Sequence, residues 1–249
     1  KGRILDLLFV LGLEDRLLVL TGPDSRQRVA DWIDFYTIVD DVAVRDVTEE
    51  TAMLALTGPE AARLLARLTD RDVSALPRGG SIDARIDGIE AVLIRTDFAG
   101  LSGYDLAVTA DHAQSLWKSL LGRGREFGLL PLGTQALEVV RVERGVPSHG
   151  RELTEAYNPL EAGLLQYISF NKGCYIGQEV VARLNTYDKV QKHLVGISWE
   201  GGGSPSPMPL SRTKGRKWAT SLRPSGRRAW TTASGWGTSG RRRRRPAYS

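Results

Sequence analysis

A single cysteine, Cys174, stands in the run Lys172-Gly-Cys-Tyr-Ile-Gly-Gln-Glu179. A thiol attacks only as the thiolate, and a nearby ammonium or helix N-terminus stabilises that form. Lys172 lies two residues before Cys174, and Gly173 and Gly177 let the backbone turn sharply or close on a ligand. The same residues also suit a capped loop around a buried cysteine, because free Cys is often simply buried. Carboxylates form a second set. Glu143 stands between Arg141 and Arg144. It could accept two N–H groups from a planar ligand, the reverse of an arginine fork, or be an ordinary helix-end charge. Asp6 interrupts the apolar run Ile4–Val10, where a solvated surface carboxylate is not the obvious reading. Asp40 and Asp41 are adjacent, so on a strand they would face opposite ways and share no proton.

Other chemistries find no support. His112, His149 and His193 are scattered, and one Cys with three distant His has no metal-ligand spacing, so no metal is expected. His149 is expected to be solvent-facing or hydrogen-bonded. There is no Ser-His-Asp signature or HExxH, and the Gly-rich turns match neither GxGxxG nor a P-loop. No apolar run reaches 18 residues, so no membrane partner is expected. A lone thiol and no visible signal peptide suit a reducing cytoplasm. The net charge of +5 hides an asymmetry. Residues 202–249 hold 12 Lys/Arg and no acid, which leaves the body at −7. Direct nucleic-acid binding would therefore rest on the tail alone, at Arg241–Arg245.

These groups need elements to position them. Ile4–Val10 and Arg16–Leu20 read as strands, and the periodic stretch to Tyr36 as a helix with Pro23 in its first turn. Val42–Val47 and Met53–Leu56 read as strands, with a helix to Leu68. Leu20-Thr-Gly-Pro23 and Leu56-Thr-Gly-Pro59 repeat a strand–turn–helix plan. Ser81–Ile86 and Ile89–Thr96 predict a hairpin around Asp87-Gly88. Tyr104–Val108 predicts a strand. Asp111–Phe127 predicts a helix, with Leu116, Trp117, Leu120 and Leu121 on one side. A helix over Leu132–Val142, a short one over Gly177–Leu184 and a strand over Lys189–Ser198 complete the body. The alternation indicates α+β packing of ferredoxin-like strand–helix units.

The octapeptide Lys172–Glu179 resembles the K-G-C-[FY]-x-G-Q-E signature of YgfZ-type proteins, a folate-binding branch of the glycine-cleavage T-protein (aminomethyltransferase) superfamily. Glu179-Val-Val-Ala-Arg183 continues it. Arg141-Val-Glu-Arg-Gly-Val-Pro-Ser-His-Gly150-Arg-Glu and Asn158-Pro-Leu-Glu-Ala-Gly-Leu164 resemble the superfamily's "RxExGxPxxGxE…PxEAGL" run. The resemblance covers about residues 1–200 and implies a T-protein-like folate-binding fold. It implies tetrahydrofolate as cofactor, placed between the repeated units, with Glu143 on the pterin and Arg141, Lys172, Tyr175, Gln178 and Glu179 as neighbours. Cys174 would be the reactive group at the cleft mouth. Asp6 aligns with the T-protein's catalytic Asp in "GGIxDD". There, however, Arg3 replaces the second Gly and Leu7 the second Asp, which weakens any claim to aminomethyl transfer.

Two functions are implied. One is an accessory factor in iron–sulphur protein assembly or repair, with iron–sulphur clients as partners and an indirect effect on tRNA modification. The other is a one-carbon transfer enzyme, an aminomethyltransferase or demethylase using Asp6. The chain starts without Met, and the family's N-terminal segment is expected to be missing. The tail, 201–249, is expected to be disordered and out of frame. Permitted codons for Arg216–Arg223, read from the third base, spell Glu-Val-Gly-Asp-Val-Thr-Ser. That string is similar to the family's closing barrel, which is therefore expected to be missing or disrupted.

Overall fold

The computed structural model describes residues 2–13, 15–97, 100–187, 189–190, 192–198 and 228–234. Two compact units share them: one of residues 8–21 and 26–134, the other of residues up to 7, 22–25 and from 135 onward.

The first unit is built on a sheet. Strands β1 (Phe9–Gly12) and β2 (Leu17–Leu20) form an antiparallel hairpin, and α1 (Arg26–Tyr36) follows. Next come β3 (Thr51–Thr57), α2 (Ala61–Leu68), β4 (Ser81–Ile86), β5 (Ile89–Thr96), β6 (Gly103–Thr109) and α3 (Ala113–Gly124). The four-stranded sheet has the order β3-β6-β5-β4, with every neighbour antiparallel. The class is the expected α+β. Within it the connectivity is a β4-β5-β6 meander returning to β3. Asp87 and Gly88 take positive φ, 49° and 84°, as a two-residue hairpin turn of the primed type requires. Leu64 and Leu65 of α2 and Leu116 and Leu120 of α3 pack with Ile86, Leu93, Tyr104 and Leu106. Burying each such side chain stabilises by about 1.5–3 kcal/mol. Tyr104 donates its buried hydroxyl to the Val73 carbonyl at 3.1 Å.

Three expectations in this region need correction. The first strand starts at Phe9, so Asp6 precedes it in irregular chain. Val42–Val47 is not a strand, for among the described residues it has no partner strand to bond. Trp117 is exposed on α3, while Leu116 and Leu120 are buried.

The second unit is rich in turns. It contains α4 (Thr134–Arg144), α5 (Gln178–Thr186) and β7 (Lys192–Ser198). Strand β8 (Arg228–Ser234) pairs antiparallel with β7, Lys192 opposite Ser234. Of the tail, these residues are the described part. Trp230, Thr231 and Thr232 are residue types that favour extended backbone, and the edge of β7 offers it hydrogen bonds. The rest of the tail lies outside the described residues. A small core of Ile4, Leu153, Ala162 and Leu164 gathers the turns.

Candidate functional site

The site is built within the second unit around its N-terminal segment. Arg3 donates to the Ala156 carbonyl at 2.9 Å and lies 3.6 Å from the Glu161 carboxylate. Ile4 N–H donates to the Tyr157 carbonyl at 3.1 Å. The turn that receives them is closed by a reciprocal pair: Asn158 N–H donates to Glu161 Oε2, and Glu161 N–H to Asn158 Oδ1, both at 3.0 Å. This is capping-box geometry, with Pro159 at the position where a missing N–H costs nothing. Asn158 and Glu161 are buried, so each must be satisfied in this way.

Asp6 is committed to the chain. Its Oδ1 accepts Leu7 N–H at 2.8 Å, and its Oδ2 accepts Gly22 N–H at 2.7 Å and the buried Ser25 hydroxyl. The carboxylate thereby holds the Gly22–Ser25 turn. Gly22 meets His149: a Cβ there would stand 2.8 Å from His149 Cγ. His149 is half-buried. Its loop is tied by Glu152, whose Oε2 accepts Ser148 N–H at 3.0 Å and Arg141 Nη1 at 3.1 Å.

Arg141, expected beside the folate, is instead buried on α4. It also donates to Glu138 through Nε at 2.8 Å and Nη2 at 2.5 Å, and to the Val146 carbonyl at 3.2 Å. Burial opposes its charge, but Glu138 and Glu152 more than offset that and hold its proton more tightly than usual. Arg151 joins through Glu138 at 2.5 Å. Glu143, on the same helix, is exposed and makes no side-chain hydrogen bond or ion pair among the described residues. Its two oxygens are open to an external donor.

The octapeptide forms a loop leading into α5. Gln178 N–H donates to the Tyr175 carbonyl at 3.1 Å, and Tyr175 N–H to Gln178 Oε1 at 3.2 Å. Gly177, with φ of 88°, is the turn into the helix, where most side chains would be strained. A Cβ on Gly177 would also stand 3.4 Å from Gly2 Cα, so loop and N-terminal segment meet through two glycines. Cys174 is free and exposed. Glu179 is exposed in the first helical turn, where the helix dipole favours a negative charge. Lys172 Nζ lies 5.0 Å from the Tyr175 ring centroid, a cation–π contact. The Tyr175 hydroxyl is buried with no hydrogen-bond partner among the described residues.

Lys172, Tyr175 and Gln178 are thus brought together. No hydrogen bond or ion pair links Arg141 or Glu143 to them among the described residues. Sequence reasoning missed Ser25 and Gly22 as partners of Asp6, and Glu138 and Glu152 around Arg141. Glu138 could have been found three residues before Arg141 on one helix face. Nothing local marks Ser25, because its partner is 19 positions away. A cleft of about 670 Å³ lies in the sheet unit, rimmed by Arg16, Asp70, Asp83, Arg85 and Glu90, and holds none of the residues singled out in sequence. Among the described residues no cluster of His, Cys, Asp and Glu could hold a metal, and no helix is long and apolar enough to cross a membrane.

Comparison with known proteins places this geometry. The chain is 34% identical over 208 residues to an aminomethyltransferase of Streptomyces coelicolor, covering 82% of this chain and 56% of that protein. It is 36% identical over 207 residues to an aminomethyltransferase of Geobacillus kaustophilus, with the same coverages. A putative chloroplastic transferase of Arabidopsis thaliana is 31% identical over 205 residues, covering 82% of this chain and 46% of that protein. The chain spans about half the length of these relatives. The crystal structure of glycine cleavage system aminomethyltransferase T from Bartonella henselae superposes with a TM-score of 0.73 at 21% identity, over 94% of this chain and 65% of that one. The family profile of the GCVT N-terminal domain matches residues 1–172 and stops two residues before Cys174. The chain belongs to the glycine-cleavage T-protein superfamily, through its GCVT N-terminal domain.

Proposed function

We propose that this chain is a tetrahydrofolate-binding accessory factor of the YgfZ-type branch, serving the assembly or repair of iron–sulphur proteins. The observation that carries this reading is the octapeptide: it is complete, folded into a glycine-hinged loop, and presents Cys174 to solvent. Glu143 fits the folate. An exposed carboxylate without a partner among the described residues can accept two N–H groups of a pterin edge. Arg141 does not fit as a ligand donor, since its guanidinium is buried among Glu138, Glu152 and a carbonyl. Its place here is to fix α4 and the loop bearing His149. Cys174 would carry an exchangeable ligand or meet a client protein.

The test is complementation of a strain lacking the factor. The parent chain should restore the activity of an iron–sulphur tRNA-modifying enzyme, and Cys174→Ala should not. Full activity of Cys174→Ala excludes a thiol role.

A second reading, folate-dependent aminomethyl transfer, is favoured by relatives named as aminomethyltransferases at 34% and 36% identity. Asp6 weighs against it: both oxygens already accept hydrogen bonds from the chain, so it is poorly placed to shuttle a proton. An assay of 5,10-methylene-tetrahydrofolate formation decides. Turnover in the parent that disappears in Asp6→Asn would establish transfer, and no turnover in the parent removes it. The out-of-frame tail belongs to the same proposal. Source DNA with an intact frame through residues 200–215 would remove that part.

A further inference from the structure

The sheet unit carries an uncovered apolar surface. On α1 and the chain after it, Trp32, Phe35, Tyr36, Ile38, Val39 and Val42 are exposed, Phe35 at 74%, Ile38 at 83% and Val39 at 91%. The aromatics form one cluster. Ring centroids of Trp32 and Tyr36 lie 5.0 Å apart, and those of Phe35 and Tyr36 4.9 Å apart, edge to face. Single exposed apolar side chains are ordinary, whereas a contiguous patch marks an interaction site. Clustered aromatics are the anchors that interfaces concentrate.

The surrounding charge selects the occupant. Between Val29 and Val44 the chain carries Asp31, Asp34, Asp40 and Asp41, and no Lys, Arg or His. Of the nearby arginines, Arg26 lies beside Asp46 and Glu49, Arg45 beside Glu50, and Arg28, just before this stretch on α1, has a contact of its own. Two copies of this surface face to face would set carboxylates against carboxylates. An anionic bilayer would be repelled in the same way. A helix with one apolar face flanked by Lys or Arg complements both features: its apolar face meets the aromatics and its cations meet the aspartates.

We propose that Trp32–Val42 is the docking surface for a partner protein presenting a cationic amphipathic helix. The proposal stands on this surface alone and does not depend on folate binding or on Cys174.

The test uses the full chain and a fluorescein-labelled leucine–lysine peptide of about 18 residues, five helical turns, followed by anisotropy. Saturable binding that weakens with added salt is expected. Phe35→Ser/Val39→Ser should weaken it at least about tenfold, through lost anchors. Asp40→Lys/Asp41→Lys should do so to a similar degree, by about tenfold, through reversed charge. Leu130→Ser, at an exposed leucine of the same unit, should leave it unchanged. All these side chains are exposed, and circular dichroism checks that each variant folds. Equal binding by every variant overturns the proposal, because attraction would then be spread over the acidic body. So does a concentration-dependent dimer in sedimentation that Phe35→Ser/Val39→Ser abolishes, which assigns the surface to a second copy. Binding to phosphatidylglycerol vesicles that the same variant abolishes also overturns it, in favour of a lipid surface.

Discussion

Replacing Gly22 by Ala tests the packing that joins Asp6 to the His149 loop. The φ of Gly22 lies outside the left-handed region, so the backbone accepts alanine and the effect is steric. The added methyl would meet His149 Cγ at 2.8 Å, Cβ at 3.0 Å and Cδ2 at 3.2 Å. Carbon atoms pack comfortably at about 3.5–4.0 Å. The imidazole must therefore retreat by several tenths of an ångström, and its loop is tied by Glu152 to Ser148 and Arg141. Overpacking of this kind costs about 1–3 kcal/mol. The lost flexibility of the unfolded chain returns about 0.4–1 kcal/mol. A net loss of about 1–2 kcal/mol is expected from these two effects, a fall of roughly 2–8 °C in melting temperature. His149→Ala vacates the space. The double variant Gly22→Ala/His149→Ala should then be more stable than the sum of the single effects by about 1 kcal/mol. Thermal melts of the four proteins by circular dichroism measure this. A Gly22→Ala protein as stable as the parent, or strictly additive effects, refutes the close approach.

Other perturbations probe neighbouring groups. Burial pushes the Asp105 carboxyl above its ordinary value of 3.8, with the Thr96 hydroxyl opposing in part. The folded chain then holds that proton more tightly than the unfolded one. The contribution of Asp105 is fully present below pH 3.8 and is lost as pH rises through the raised folded value. Asp105→Asn should therefore stabilise the protein at pH 7 and flatten the pH dependence of its melting temperature; an unchanged profile contradicts this. Arg141→Met strips a buried cation from Glu138 and Glu152 and should cost about 3 kcal/mol, with partial recovery when Glu152→Gln is added. A loss within about 0.5 kcal/mol, as at an ordinary surface position, contradicts the buried cluster. Tyr175→Phe removes a buried hydroxyl that has no partner among the described residues, so urea denaturation should show a gain of about 1 kcal/mol. A loss of that size would reveal a hydrogen bond in solution.

Much of the framework could be read locally. The Asp87-Gly88 hairpin, the repeated strand–turn–helix units and the start of α5 each follow from turn chemistry or periodicity within a few residues. The misreadings share a cause. Apolar runs at Ile4–Leu8 and Val42–Val47 have strand composition, but a strand also needs a neighbour, and no local pattern supplies one. The site divided in the same way. The loop from Lys172 to Gln178 is local and was legible. The role of Asp6 depends on Gly22 and Ser25, 16 and 19 positions away. Arg141 looked like a ligand residue because its motif resembles that of the superfamily, while its burial depends on how the loop at Glu152 folds back.

The proposed function requires that a reduced folate bind through Glu143. Isothermal titration calorimetry of the folded protein with 5-formyl-tetrahydrofolate tests it directly. Saturable binding at one site is expected, weakened at least about tenfold by Glu143→Gln as a charge-assisted hydrogen bond is lost. No saturable heat from a protein whose circular dichroism is folded, or equal affinity in Glu143→Gln, would contradict it.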